Sequence, residues 1–138
     1  MVAINFTVFQ DKILSGEKRQ TVRIKARCKP GDRLQLYTGM RTRACRKLGE
    51  AICDAVFPVV IGEWGARDIR FPHPDYGSVI RYCETDGRAD QMAERFARAD
   101  GFSCWEAGAA FFRERYGLPF AGQVIVWRDF QKAEDKTI

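Results

Sequence analysis

Apolar and polar residues alternate over Ile4–Val8 and again over Arg33–Tyr37, where Leu34 and Leu36 share one side. A period of two is that of a half-buried strand, so both segments are expected as strands. Gln20–Ile24 reads as a third. Between the first and third, Gln10–Leu14 has room for one helical turn. Ser15-Gly16 closes it, because glycine accepts the left-handed stop. Lys29-Pro30-Gly31-Asp32 carries turn chemistry and leads into the strand at Arg33. An arginine-dense polar loop is expected over Thr38–Lys47. Leu48–Ile61 then reads as one long strand with a bulge or break at Pro58, which cannot donate to a ladder. Residues 64–78 are expected as an irregular excursion, and Ser78–Tyr82 as a short strand.

The period then changes. Residues 88–99 place Met92, Phe96 and Ala99 on one helical face. Ser103-Cys104-Trp105-Glu106 has capping-box spacing, in which serine and glutamate satisfy each other's orphan amides. From that cap Trp105, Gly108, Phe112 and Tyr116 recur at helical intervals, and Gly117 with Pro119 ends the helix. Val124–Trp127 is an unbroken apolar run, expected as a buried strand. Helices do not alternate with strands, which argues against a doubly wound parallel sheet. The expectation is an α+β chain: a small mixed β-barrel flanked by two to three helices. One domain covers residues 1–130, with an excursion at about 64–98 and a flexible tail at 131–138.

Composition supports one globular core: 138 residues, 46% of them apolar, with ten Phe, four Tyr and three Trp. No apolar run approaches the ~20 residues that cross a bilayer, and the N-terminus lacks the pattern of a signal peptide. The five cysteines, Cys28, Cys45, Cys53, Cys83 and Cys104, are scattered without a CxxC pair. That suits a reducing compartment, so the cytoplasm is the expected location, and no zinc cage is expected. With one histidine, His73, set between two prolines, no metal is expected, no cofactor, and no histidine-based triad.

Charge changes the picture more. Residues 1–47 hold 12 Lys/Arg against 3 Asp/Glu, a net +9, while residues 48–138 hold 11 against 15, a net −4. Such asymmetry suits a polyanionic partner, or a basic surface paired with acidic residues elsewhere in the fold. Within the basic third, Gly16-Glu17-Lys18-Arg19-Gln20-Thr21-Val22-Arg23 places Thr21 and Arg23 on one side of a strand, with Lys18 in the turn just before it. An amine, a hydroxyl and a guanidinium together can bind phosphate or polarise a carbonyl. A charged strand edge that discourages aggregation is the other reading.

The spacing G-x-K-x-x-T-x-R, here Gly16, Lys18, Thr21 and Arg23, resembles the signature of the ASCH domain family, relatives of the RNA-binding PUA fold. Phe9–Ser15 is similar to that family's lead-in, Gly31-Asp32 with Leu34–Tyr37 to its next strand. Asp100-Gly101-Phe102-Ser103, with Trp105-Glu106 and Phe111-Phe112, resembles its late turn and helix. The resemblance implies a PUA-like barrel with a cleft for RNA or a modified nucleoside. It also implies amidohydrolysis of N4-acetylcytidine, as in one branch of the family; a ribonuclease-like reaction is the other hydrolytic reading of the site. That branch uses a lysine, a threonine and a glutamate, which fall on Lys18, Thr21 and Asp100. Aspartate in place of glutamate is a departure, and a misplacement of about 1 Å can cost on the order of 100-fold in rate.

Arg41, Arg43, Arg46 and Lys47, near Tyr37, offer cations for phosphates and a ring for stacking on a base. With Arg23 they complete the expected substrate-binding set; an exposed hairpin loop is the alternative. A non-catalytic RNA-binding module, or a protein-interaction domain with an acidic partner, remain alternatives to an enzyme. A monomer or weak dimer that stays off the membrane is expected.

Overall fold

The computed structural model describes residues 1–62, 69–72, 79–81 and 94–133. Strand β1 (Val2–Phe6) is followed by helix α1 (Gln10–Ser15), β2 (Gln20–Arg23) and β3 (Arg33–Thr38). Next come β4 (Arg46–Ile61), β5 (Ile69–Pro72) and β6 (Val79–Arg81). Helix α2 is described over residues 94–99. Helix α3 (Trp105–Tyr116) and strand β7 (Phe120–Lys132) complete the order.

All seven strands join one mixed sheet. Its main path runs β1, β3, β4, β7, β2, with β5 and β6 continuing from the far end of β4. Among the described strands, β1 and β3 pair in parallel and the other ladders are antiparallel. The path leaves β1 and β2 as its two ends, without a ladder between them. The result is a half-barrel with an open seam. A side chain spans that seam: Nη2 of Arg23 on β2 donates to the backbone oxygen of Asn5 on β1 at 2.7 Å.

β4 is the hub because it pairs on both edges, with β3 up to Ile52 and with β7 as far as Ile61. It is continuous through Pro58, contrary to the break expected there. Its register shifts lie earlier, between Glu50 and Ile52 and between Cys53 and Ala55. The proline fits because β3 pairing stops at Ile52 and β5 pairing starts at Val60, so that stretch needs no donors on that edge. Such irregularities bend a strand and tighten its twist, which lets a 16-residue strand serve two parts of the sheet.

Among the described residues two buried clusters form. Ile4, Phe6, Leu34, Leu36, Ile125 and Trp127 belong to the barrel cluster. Val22, Val59, Phe96, Trp105, Phe112 and Val124 belong to the one that packs the helices on the sheet. Neighbours Val124 and Ile125 thus go to different cores. Over Val124–Trp127 β7 packs on both faces, which is why that stretch runs apolar without alternation.

Other expectations shift at their edges. Residues 69–72, placed in the irregular excursion, form a hairpin with β6. The rest of that excursion, including His73, Trp64 and the earlier part of the helix expected over 88–99, lies outside the described residues, as does Cys83. Strand β7 continues through Lys132, two residues into the expected tail, and Ala133 still donates to Leu48. The capping box does not form. Cys104 is the N-cap of α3 and makes no side-chain cap bond. Instead Glu94 of α2 accepts from the Trp105 amide at 3.2 Å. A tertiary contact has replaced the local one.

Candidate functional site

The open seam is also where a cavity forms. Its volume is about 130 Å3, and it lies between β1, β2, the α2–α3 turn and α3. An apolar cavity of roughly 150 Å3 accepts a benzene-sized ring, so this one is scaled to a single small ring.

Lys18 enters from the α1–β2 turn, and the chain holds that turn at three points. Gly16 takes φ +85° and ends α1. The Lys18 amide donates to the Lys12 carbonyl at 3.0 Å, and the Arg19 amide to Ala99 at 2.8 Å. Arg19 in turn accepts from the Trp127 amide at 3.0 Å. With residues 18 and 19 fixed this way, the lysine side chain projects inward and is 3% exposed. Its Nζ donates to the backbone oxygen of Asp100 at 2.5 Å and lies 3.5 Å from Asp100 Oδ1. The rings of Phe6 and Phe9 sit 5.8 and 5.7 Å from it.

Asp100 arrives from the turn after α2, which adjoins the α1–β2 turn through the Arg19–Ala99 bond. The C-terminus of α2 closes as a Schellman motif, with the Phe102 amide on the Ala97 carbonyl and the Gly101 amide on Arg98. Gly101 takes the required positive φ, +105°. Asp100, the last residue before it, is 4% exposed, and its Oδ1 has no hydrogen-bond partner. The ion pair is therefore a Coulombic contact, and the lysine's short hydrogen bond goes to the backbone. Burial pushes the Asp100 carboxyl up to about 6, with the Lys18 charge opposing the shift. Burial likewise lowers the Lys18 ammonium, with Asp100 opposing. The two groups move toward each other in proton affinity.

Thr21 and Arg23 share a side of β2, as the strand spacing requires. Arg23 Nε donates to Thr21 Oγ1 at 3.3 Å, and the hydroxyl is buried. The guanidinium stacks over Phe6 at 5.0 Å. Burial lowers its pKa from the ordinary arginine value. Arg23 is thus both a seam tie and a cavity wall. Arg23→Leu is expected to lower stability by about 2 kcal/mol, because the Asn5 carbonyl loses a charged donor. Urea unfolding of the variant measures it.

The structure brings Lys18, Thr21, Arg23 and Asp100 to one cavity. It does not bring Tyr37, Arg41, Arg43, Arg46 or Lys47 there. Arg46 and Lys47 lie on β4 rather than in a loop, and Lys47 is engaged by Glu50 at 2.7 Å. Tyr37 sits in the β3 ladder opposite Asn5. Thr42 folds the connecting turn, its hydroxyl donating to Gly39 and accepting from Ala44. Arg41 and Arg43 are left exposed by that turn. One tie links the turn to the cavity wall: the Met40 amide donates to Asn5 Oδ1 at 3.0 Å.

Three further lining groups escaped the sequence reading. Phe9 covers the buried lysine and packs edge-on against Phe102 at 5.0 Å. Arg115 and Tyr116, exposed on the last turn of α3, also line the cavity. The i, i+4 spacing of Phe111 with Arg115 and of Phe112 with Tyr116 was the available signal, since it places both pairs on adjoining stripes of one helix. Among the described residues no helix is long and apolar enough to cross a membrane, and no three His, Cys, Asp or Glu side chains cluster as metal ligands.

No protein-family model matches the sequence, and no curated protein matches it. Solved structures do. The chain is similar to ASCH from Zymomonas mobilis, with 15% identity and a TM-score of 0.55, over 94% of this chain and 68% of that one. It is equally similar to a serine-to-alanine mutant of that protein, with 14% identity and a TM-score of 0.56 over the same shares. The open mixed barrel, its flanking helices and this structural likeness establish that the chain has the fold of an ASCH domain.

Proposed function

We propose that this chain is a hydrolase for an acylated nucleobase, and that N4-acetylcytidine represents its substrate class. The observation that carries this reading is the buried Lys18–Asp100 pair, set beside the Thr21 hydroxyl in a ring-sized cavity walled by phenylalanines. Amide hydrolysis needs a nucleophile, a group that accepts and returns a proton, and positive charge where the oxyanion develops. Thr21 Oγ1, or a water beside it, supplies the nucleophile. The Lys18–Asp100 pair manages the proton, because burial has narrowed the gap between the two groups' proton affinities. The Lys18 ammonium, charged once the pair has taken up the proton, faces the developing oxyanion, and Arg23 holds the substrate. The nucleophile's proton passes to the pair and then to the departing amine. On the Thr21 route the acyl carbon bonds to Oγ1 as its bond to nitrogen breaks and cytidine leaves, and water then hydrolyses the ester to acetate. On the water route acetate and cytidine form in a single displacement.

A second reading is supported by the backbone bonds of the two cations. Lys18 donates to the Asp100 carbonyl and Arg23 to the Asn5 carbonyl, so both also tie elements together. On that reading the cavity binds a base of RNA without chemistry.

Incubation with N4-acetylcytidine, followed by chromatography of cytidine and acetate, separates the two. Wild-type protein is expected to release both products, and Thr21→Ala to be at least roughly 100-fold slower with an unchanged fold. Binding of the compound by wild type with no release of acetate would leave the binding module.

A further inference from the structure

The charge in the cavity exceeds what a neutral nucleoside needs. Lys18 and Asp100 offset each other in the interior, but Arg23 and Arg115 both line the same cavity as well. Neither guanidinium has an ion-pair partner among the described residues. Arg23 is spent on an Asn5 carbonyl and the Thr21 hydroxyl, both uncharged. Among the described residues, Arg115 has the rings of Phe111 and Tyr116 at 5.8 and 5.9 Å. Burial is the main cause that lowers the Arg23 pKa; the charge of Asp100 opposes it, and repulsion from Arg115 adds to it. Two like charges on one concave wall are unfavourable when the wall is bare and favourable when an anion lies between them. A planar fork suits phosphate in particular, since it donates two parallel bonds to it.

The placement fits a ligand with a ring at one end and an anion at the other. The ring-sized interior is walled by Phe6, Phe9 and Phe102, while Arg115 stands on the exposed last turn of α3. Tyr116 beside it is 36% exposed and stacks on Phe120 at 4.3 Å, so its position is fixed by the core.

We infer that the cavity takes its base as a nucleotide, with Arg115 and Arg23 gripping a phosphate carried on the ribose, and that Arg115 sets a preference for phosphorylated over free nucleoside. This rests on the base-pocket reading above. The shared chemistry is a ribose phosphate, whether of a mononucleotide or of an RNA chain.

Isothermal titration calorimetry at low salt with cytidine, 5′-CMP, 3′-CMP and the trinucleotide CpCpC tests it on wild type, Arg115→Gln and Arg115→Lys. Wild type is expected to bind at least one phosphate-bearing ligand about 10-fold or more tightly than cytidine, the scale of one charge-assisted contact. Arg115→Gln is expected to erase that ratio, and Arg115→Lys to retain part of it. Arg115 is exposed, so both variants should melt with wild type. Preference for a monophosphate identifies the mononucleotide as ligand, and preference for CpCpC identifies the RNA chain; either supports the inference. Equal binding of cytidine and every phosphate-bearing ligand overturns it and leaves the base pocket standing. So does a phosphate preference that survives Arg115→Gln. Binding of none of the four removes the inference and the base-pocket reading together.

Discussion

Lys18→Ala is expected to abolish turnover of N4-acetylcytidine, by roughly 1,000-fold, and to destabilise the protein in a pH-dependent way. The second effect follows from the partner left behind. Asp100 is 4% exposed, and its Oδ1 has no hydrogen bond even when the ammonium is 3.5 Å away. Removing one member of a buried pair typically costs about 3 kcal/mol or more, because the other charge is stranded. That charge exists only when the carboxyl is ionised. In the wild type the folded-state value is already raised to about 6, and loss of the lysine, which opposes the rise, moves it higher. Across the window from the unfolded value, about 4, up to the raised folded value, the folded variant holds a proton that the unfolded chain releases. Its stability therefore falls as pH rises through that window. Urea unfolding should show a loss of about 3 kcal/mol at about pH 8. Near pH 4 only about 1 kcal/mol should be lost, reflecting the broken bond to the Asp100 carbonyl. A loss independent of pH would mean that Asp100 does not face the ammonium as a carboxylate.

Gly101→Ala is expected to be strongly destabilising although it removes no functional group. The residue sits at φ +105°, a region that side-chain-bearing residues rarely enter, and forcing one there costs about 1–3 kcal/mol. The added methyl would also lie 2.9 Å from Cγ and Cδ2 of Phe9. Phe9 is itself held at φ 64° and wedged edge-on against Phe102, so it has little room to give. Overpacking adds a similar amount. Together these predict a Tm lower by roughly 10 °C, readable by calorimetry. Activity should fall as well, because the Schellman turn that Gly101 closes is what aims Asp100 at Lys18. Thr21→Ala, by contrast, should lose activity with little change in Tm. The pair of variants thus separates chemistry from scaffold.

The resemblance to ASCH domains rested on short spacings, and the elements that carry those spacings formed. α1 ends at Ser15 with Gly16 left-handed, β2 follows at Gln20, and α3 ends before Gly117. Each depends on residues within a turn or two, where glycine freedom and period are readable. Local signals failed where a distant residue offered something better. Ser103 and Glu106 had capping-box spacing, yet Glu94 took the Trp105 amide, since α2 and α3 meet at that point. Pro58 looked like a break, but β3 and β5 both stop short of it.

The candidate site divides along the same line. That Thr21 and Arg23 share a side, and that Lys18 precedes them by a turn, was fixed by the chain itself, because strand geometry sets neighbours two residues apart. That the arginines of the 41–47 segment stay outside the cavity was decided by the Thr42-centred turn and by the register of β4 on β3. Only tertiary structure could bring Asp100 to Lys18 across 82 positions, or set Arg115 on the wall that Arg23 shares. Those meetings depend on the half-barrel staying open between β1 and β2 and on the helices docking against its open side. Such long-range closure comes from the packing of two cores, which no window of sequence contains.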